Sequence, residues 1–233
     1  MNEFVHHQRL SPNHDARDQP ISMVVLHYTG MQTAAAALAR LTDPEAKVSA
    51  HYFIDEDGTV TQLVPENRRA WHAGKGNWRG LSDVNAASIG IELVNPGHEF
   101  GYRAFPPAQM EALLPLLKDI VRRNKIAYAN VVGHSDIAPA RKEDPGELFD
   151  WALLARHRMA LPTPQLRVPS PFSNDGAFFL ALERYGYDIT NGPAAVRAFQ
   201  RRWRPGNIDG VVDGETSAIL FALLLERDQG RAR

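Results

Sequence analysis

Residues 88–95 read SIGIELVN, and this stretch bears on both the fold and the chemistry of the chain. β-Branched and aliphatic residues dominate it, which marks a buried strand. Glu92 interrupts the run. An ionised carboxylate is rarely buried unless paired, because burial strips its hydration. Either the strand lies at a wet sheet edge, or the acid has a chemical role.

Similar segments lie on both sides. ISMVVLHYT (21–29) reads as a second buried strand, followed by the helical MQTAAAALARL. HYFIDEDGTVTQLV places Asp57-Gly58 between two strand-like runs, a hairpin signal. NVVGHSDI returns to strand. PPAQMEALLPLLKDIVRRN is an amphipathic helix started by proline, with Pro115 expected to kink or break it. Together these predict an α/β fold, a mixed central β-sheet flanked by helices. LPTPQLRVPSPFS (161–173) carries four prolines and suits a stiff linker. Beyond it NDGAFFLALERYGY, PAAVRAFQRRW and DGETSAILFALLLER predict a small three-helix domain. The expected division is therefore 1–160, a linker at 161–173, and 174–233.

With 233 residues, 44% of them hydrophobic, the chain can bury a sizeable core plus a satellite. Its 26 Lys and Arg nearly balance 27 Asp and Glu, so no nucleic acid or other polyanion is expected as a partner. The arginine cluster RAFQRRWRP (197–205) accordingly reads as a solvated helix surface. The absence of cysteine excludes disulfides and thiolate ligands, leaving any metal to histidines and carboxylates. The stretch MNEFVHHQRLSPNHDARD lacks the basic start and apolar core of a signal, and no segment reaches the ~18 apolar residues of a membrane span. A soluble, monomeric, cytoplasmic protein is expected, or a periplasmic or envelope one if an export signal was trimmed. No G-x-S-x-G, H-E-x-x-H or phosphate-binding glycine loop is present.

Two histidines stand apart from the rest. His27 lies inside MVVLHYT, where a neutral imidazole needs a hydrogen bond or a metal, and His134 ends NVVGH. Each alone suits a structural histidine. Asp144 follows ten residues after His134 in a proline- and glycine-rich loop, and Lys142 and Asp144 share one side of any extended piece. Two imidazoles and one carboxylate with an open position form the ligand set of a catalytic zinc site, for which Glu92 would be the base. Spacing does not show that these strands converge.

VVLHYTG, SAHYFIDEDGTVTQLVPENRRAWHAG, WRG, SIGIELVN and VVGHSDIAPARKEDPG, in this order, resemble the zinc-dependent N-acetylmuramoyl-L-alanine amidases of the type 2 family, whose fold is shared with peptidoglycan recognition proteins. The resemblance spans about residues 21–151. It implies Zn2+ held by His27, His134 and Asp144, Glu92 as catalytic acid/base and Lys142 as oxyanion stabiliser. It also implies peptidoglycan or a muropeptide as substrate, with a non-catalytic peptidoglycan receptor as the alternative. The tail is similar to the three-helix peptidoglycan-binding module, with a shortened turn at YDITNGPAAV. In the glycine-rich loop WHAGKGNWRG, Trp71, Trp78 and Arg79 either stack on sugar rings or pack under the loop, and Asn95 either binds substrate or caps a turn. His72 is placed with the substrate-binding residues, and His51 behind the ligands, although both also suit core positions.

Overall fold

The computed structural model describes residues 3–165 and 169–228. Among the described residues eight strands are formed: β1 (His7–Gln8), β2 (His14–Ala16), β3 (Met23–Tyr28), β4 (Tyr52–Ile54), β5 (Val60–Gln62), β6 (Arg68–Ala70), β7 (Ser88–Leu93) and β8 (Val131–Gly133). The α-helices are α1 (Ala34–Thr42), α2 (Val84–Ala87), α3 (Gly97–Phe100), α4 (Pro107–Asn124), α5 (His134–Ile137), α6 (Trp151–Arg156), α7 (Asp175–Tyr185), α8 (Gly192–Trp203) and α9 (Gly214–Asp228). Six strands make one sheet in the order β1-β5-β4-β7-β3-β8, while β2 and β6 pair antiparallel beside it. The centre is parallel, β7 lying between β4 and β3, and the predicted hairpin supplies the antiparallel β4–β5 pair.

The alternation of strand side chains explains SIGIELVN. Ile89, Ile91 and Leu93 join Val24 and Leu26 on one face, packed with Leu113, Leu116, Leu117 and Ile120 of α4. Ser88, Gly90 and Glu92 fall on the other, where β3 contributes Met23, Val25 and His27. The strand is thus central and its two faces differ: one is a core, the other is chemical. The parallel register pairs His27 with Glu92, so both sit at one level of the same face.

Helix α4 runs unbroken through Pro115, against expectation. Its buried stripe of Leu113, Leu116, Leu117, Ile120 and Val121 outweighs the roughly 3 kcal/mol that an interior proline costs. NVVGHSDI also departs from the strand reading, because β8 ends at Gly133 and His134 opens the short α5.

The tail helices pack on the chemical face of the sheet. Phe178, Leu182, Phe199 and Leu220 share one apolar core with Met23, Val25, Val132 and Ile137. Trp78 meets Tyr187 edge-on at 5.2 Å, and Arg79 N donates to Gly186 O at 3.1 Å. The arginine cluster is not a solvated surface: Arg201, Arg202 and Arg204 are buried, and the Arg202 guanidinium lies 3.2 Å from the ring centre of Trp151. Within the expected linker and the tail, residues 166–168 and 229–233 lie outside the described residues.

Candidate metal centre and active site

Three elements bring three donor atoms together. His27 comes from the end of β3, His134 from the first turn of α5, and Asp144 from the loop that follows. His27 Nδ1 lies 2.9 Å from His134 Nδ1 and 3.0 Å from Asp144 Oδ2, and His134 Nδ1 is 3.1 Å from the same oxygen. All three residues are buried. Donors in a tetrahedral site with bonds of ~2.0–2.1 Å stand roughly 3.3 Å apart, so this triangle needs only slight opening to hold a small divalent cation.

Surrounding hydrogen bonds dictate which nitrogens face the triangle. His134 Nε2 lies 2.9 Å from Ala73 O, a pure acceptor, so Nε2 carries the proton and Nδ1 keeps its lone pair. For His27 the same result comes through a chain. Ser88 Oγ donates to Val84 O at 2.5 Å and therefore accepts from His72 Nε2 at 3.1 Å. His72 Nδ1 is then the acceptor for His27 Nε2–H at 3.0 Å, which leaves His27 Nδ1 unprotonated. Two neutral imidazole lone pairs and a carboxylate are the donor set a divalent metal requires.

Electrostatics agree with this assignment. Burial, then the neighbouring His134, pushes the His27 imidazolium down to about 4. Burial raises the Asp144 carboxyl, but the charge and hydrogen bonds of His134 and His27 more than offset it and hold the group well below the usual carboxylate range. Glu92 goes the opposite way: burial first, then Asp144, raises its carboxyl well above the usual range, with Lys142 opposing. Its Oε2 is shielded from solvent without a hydrogen-bond partner. A cavity of 430 Å3 opens over these groups, with His27, His72, Glu92, His134, Lys142 and Asp144 in its wall. Lys142 is half-exposed there.

The remaining expected residues divide. Trp71 lines the cavity, its Nε1 donating to Asp15 Oδ2 at 2.7 Å. His72 also lines it, but its ring nitrogens are engaged by His27 and Ser88. Trp78 and Arg79 lie away from it, a correction to their placement as substrate-binding residues. Trp78 is 2% exposed in the core under Tyr185 and Tyr187, and Arg79 Nε donates to Tyr185 O at 3.1 Å, so both fasten the tail. Asn95 is corrected likewise: it is fully buried, its Nδ2 donating to Arg103 O and its Oδ1 accepting from Gly97 N, which makes it a turn cap. His51 stands behind the site, its Nδ1 accepting from Gly90 N at 3.0 Å, and its Nε2 lying 3.1 Å from Arg68 O.

Sequence reasoning missed Ser88 and Arg141. The signal for Ser88 was its period-two spacing from Gly90 and Glu92. A Cβ on Gly90 would lie 2.3 Å from His72 Cγ, so the glycine makes room for the imidazole. Arg141 Nη2 donates to Ala73 O and Lys75 O at 2.8 and 2.6 Å, tying the glycine-rich loop to the loop that carries Asp144.

A family profile for N-acetylmuramoyl-L-alanine amidase matches residues 17–147, more than half of the chain. The chain belongs to the N-acetylmuramoyl-L-alanine amidase family. The reaction of this enzyme is hydrolysis of the amide between N-acetylmuramic acid and L-alanine. The chain is 40% identical over 230 residues to the N-acetylmuramoyl-L-alanine amidase AmiD of Escherichia coli K12, a match covering 88% of this chain and 82% of AmiD. It is 35% identical over 161 residues to the 1,6-anhydro-N-acetylmuramyl-L-alanine amidase AmpD of Haemophilus influenzae, covering 60% of this chain and 85% of AmpD. The solved complex of Escherichia coli AmiD with anhydro-N-acetylmuramic acid-L-Ala-D-gamma-Glu-L-Lys superposes with a TM-score of 0.81 at 38% identity, over 95% of this chain and 94% of that one. AmpDH3 of Pseudomonas aeruginosa with anhydromuramic pentapeptide gives 0.78 at 31% identity, over 94% and 96%. The likeness to AmiD and AmpDH3 therefore includes the tail.

Proposed function

We propose that this amidase is a zinc enzyme that acts on soluble anhydro-N-acetylmuramyl peptides, with His27, His134 and Asp144 as its metal ligands. The observation that carries the metal assignment is the triangle of two Nδ1 lone pairs and one carboxylate oxygen, all buried, with each imidazole oriented by a further bond from its Nε2. Zinc fits this nitrogen and oxygen set, and when bound it supplies a Lewis acid that polarises a carbonyl and makes water more acidic. The substrate class is supported by the likeness to AmiD and AmpDH3, both solved with anhydromuramyl peptides.

The remaining steps belong to the chain's own groups. Glu92, with Oε2 unpartnered and its carboxyl raised, takes the proton of the attacking water as the lactyl carbonyl becomes tetrahedral. Lys142, in the cavity wall, donates to the oxyanion that then develops. Glu92 returns the proton to the alanine nitrogen as the C–N bond breaks, so the carboxylate is regenerated. Trp71 offers an aromatic edge to the sugar or the stem peptide.

Stripping the protein with a chelator should abolish hydrolysis of an anhydro-N-acetylmuramyl tripeptide, and zinc should restore it in proportion to the amount bound. Asp144→Ala should fail to recover under the same titration. A metal-free protein that keeps full turnover would overturn the reading.

A further inference from the structure

The segment 133–147 carries His134, Lys142 and Asp144, and the tail grips it near both ends. Near its start Tyr187 Oη donates to Asp136 Oδ1 at 2.6 Å, while Asp136 Oδ2 accepts from Gly133 N at 2.8 Å. Near its end Arg201, on α8, donates from Nη2 to Glu143 Oε1 at 2.9 Å, with Nε 3.7 Å from Glu147 Oε2. Glu143 stands between Lys142 and Asp144. The Arg201 side chain is 8% exposed and that of Glu143 53%, so the cation is the fixed end and the carboxylate the held one. A second grip comes from the sheet side. His98 Nε2 lies 3.1 Å from Glu147 Oε2, its ring stacks on Tyr102, and Tyr102 Oη donates to Pro145 O at 2.8 Å. Arg201 is the tail's hold on the residue flanked by Lys142 and Asp144.

We propose that Arg201 is a positioning residue for hydrolysis: through Glu143 it fixes the backbone from which Lys142 and Asp144 enter the cavity, which makes the tail part of the catalytic unit. The inference rests on the roles given above to Lys142 and Asp144. Lys142 is half-exposed; its backbone N donates to Ala138 O at 3.0 Å, while among the described residues its side chain makes no hydrogen bond or ion pair. Its ammonium therefore takes its place from the loop backbone. Misplacing a catalytic group by about 1 Å can cost on the order of a hundredfold in rate, whereas an ion pair with one exposed partner contributes little to stability. Loss of the pair should accordingly appear in turnover and metal retention before it appears in melting.

Glu143→Gln tests this in the full-length zinc enzyme, because it alters only an exposed side chain. On an anhydro-N-acetylmuramyl tripeptide kcat should fall about tenfold or more with KM changed less than about twofold, and a chelator should remove zinc about tenfold faster. The melting temperature should hold. Arg201→Met should give the same losses, the two changes together should cost little more than either, and the exchange Arg201→Glu with Glu143→Arg should recover part of the rate. Wild-type kcat and zinc release in Glu143→Gln, or full additivity of the two losses, would overturn the proposal. Lys142→Met is measured alongside: full turnover there refutes the role of Lys142, whereas its collapse beside an unaffected Glu143→Gln refutes the clamp alone.

Discussion

At the residue scale, the placement of two protons decides what the site can bind. His27 Nδ1 is a lone pair only because His72 accepts at His27 Nε2, and His72 accepts only because Ser88 holds its other nitrogen. His72→Phe keeps a ring in that space and removes the acceptor. It should weaken zinc binding about 10- to 100-fold, read by competition with a chelator; unchanged affinity would show that the chain does not orient His27. A second consequence concerns pH. The folded protein holds His27 at about 4 and His51 at about 3, both lowered chiefly by burial, while the unfolded chain titrates near the ordinary value of 6.5. Below that value the unfolded state binds more protons, so stability falls as pH drops, by about 1 kcal/mol per imidazole near pH 5.5. Glu92, raised by burial, contributes in the opposite sense, so thermal melts of chelated Glu92→Gln protein isolate the imidazoles and should decline steadily from pH 7 to 5. A flat profile would contradict the burial of neutral imidazoles.

At the element scale, β7 is built around what it must leave empty. Gly90 lies between Ser88 and Glu92 on the chemical face, and any Cβ there collides with His72. Gly90→Ala should thus lower both zinc retention and melting temperature, while Ile89→Val, on the face packed against α4, should cost roughly 0.5–1.5 kcal/mol of stability and leave zinc in place. Equal zinc loss in the two would sink the two-face account. Much of this architecture was legible in the sequence. β3, β7 and the β4–β5 hairpin announced themselves by β-branched runs and Asp57-Gly58, whereas His27, His134 and Asp144 were separate candidates whose spacing did not show that they converge, and it was the family resemblance that implied them as one set. β1 and β2 were not legible, since they lie in a polar stretch and are defined by partners far along the chain. Trp78 and Arg79 misled for a related reason: a tryptophan and an arginine in a glycine-rich loop look the same whether they meet a sugar or another helix. Local sequence does not encode which surface arrives.

At the scale of the whole molecule, the sheet has two covers. α4 seals one face; on the other, α1 packs on Phe53 beside the cavity and the tail helices share a core with Met23, Val25 and Val132. The arginines of α8 are part of that cover rather than a charged exterior, and this long-range fact could not be read from a helix pattern alone. Ending the chain at Ser170 would expose Val132, Ile137 and Trp78 together. At about 1.5–3 kcal/mol for each large apolar side chain, the truncated protein should melt markedly lower or fail to stay in solution. A truncation that melts like the full chain would show that the shared core contributes nothing.

The central claim is that Glu92 moves protons beside a metal held by other residues. Glu92→Gln in the full-length enzyme, with zinc content, melting temperature and kcat read on one preparation, tests it most directly. The account predicts wild-type zinc and a melting temperature little altered, with kcat lower by at least about a hundredfold, the lower bound for general acid–base catalysis. A Glu92→Gln enzyme that binds zinc and still turns over at the wild-type rate would contradict it.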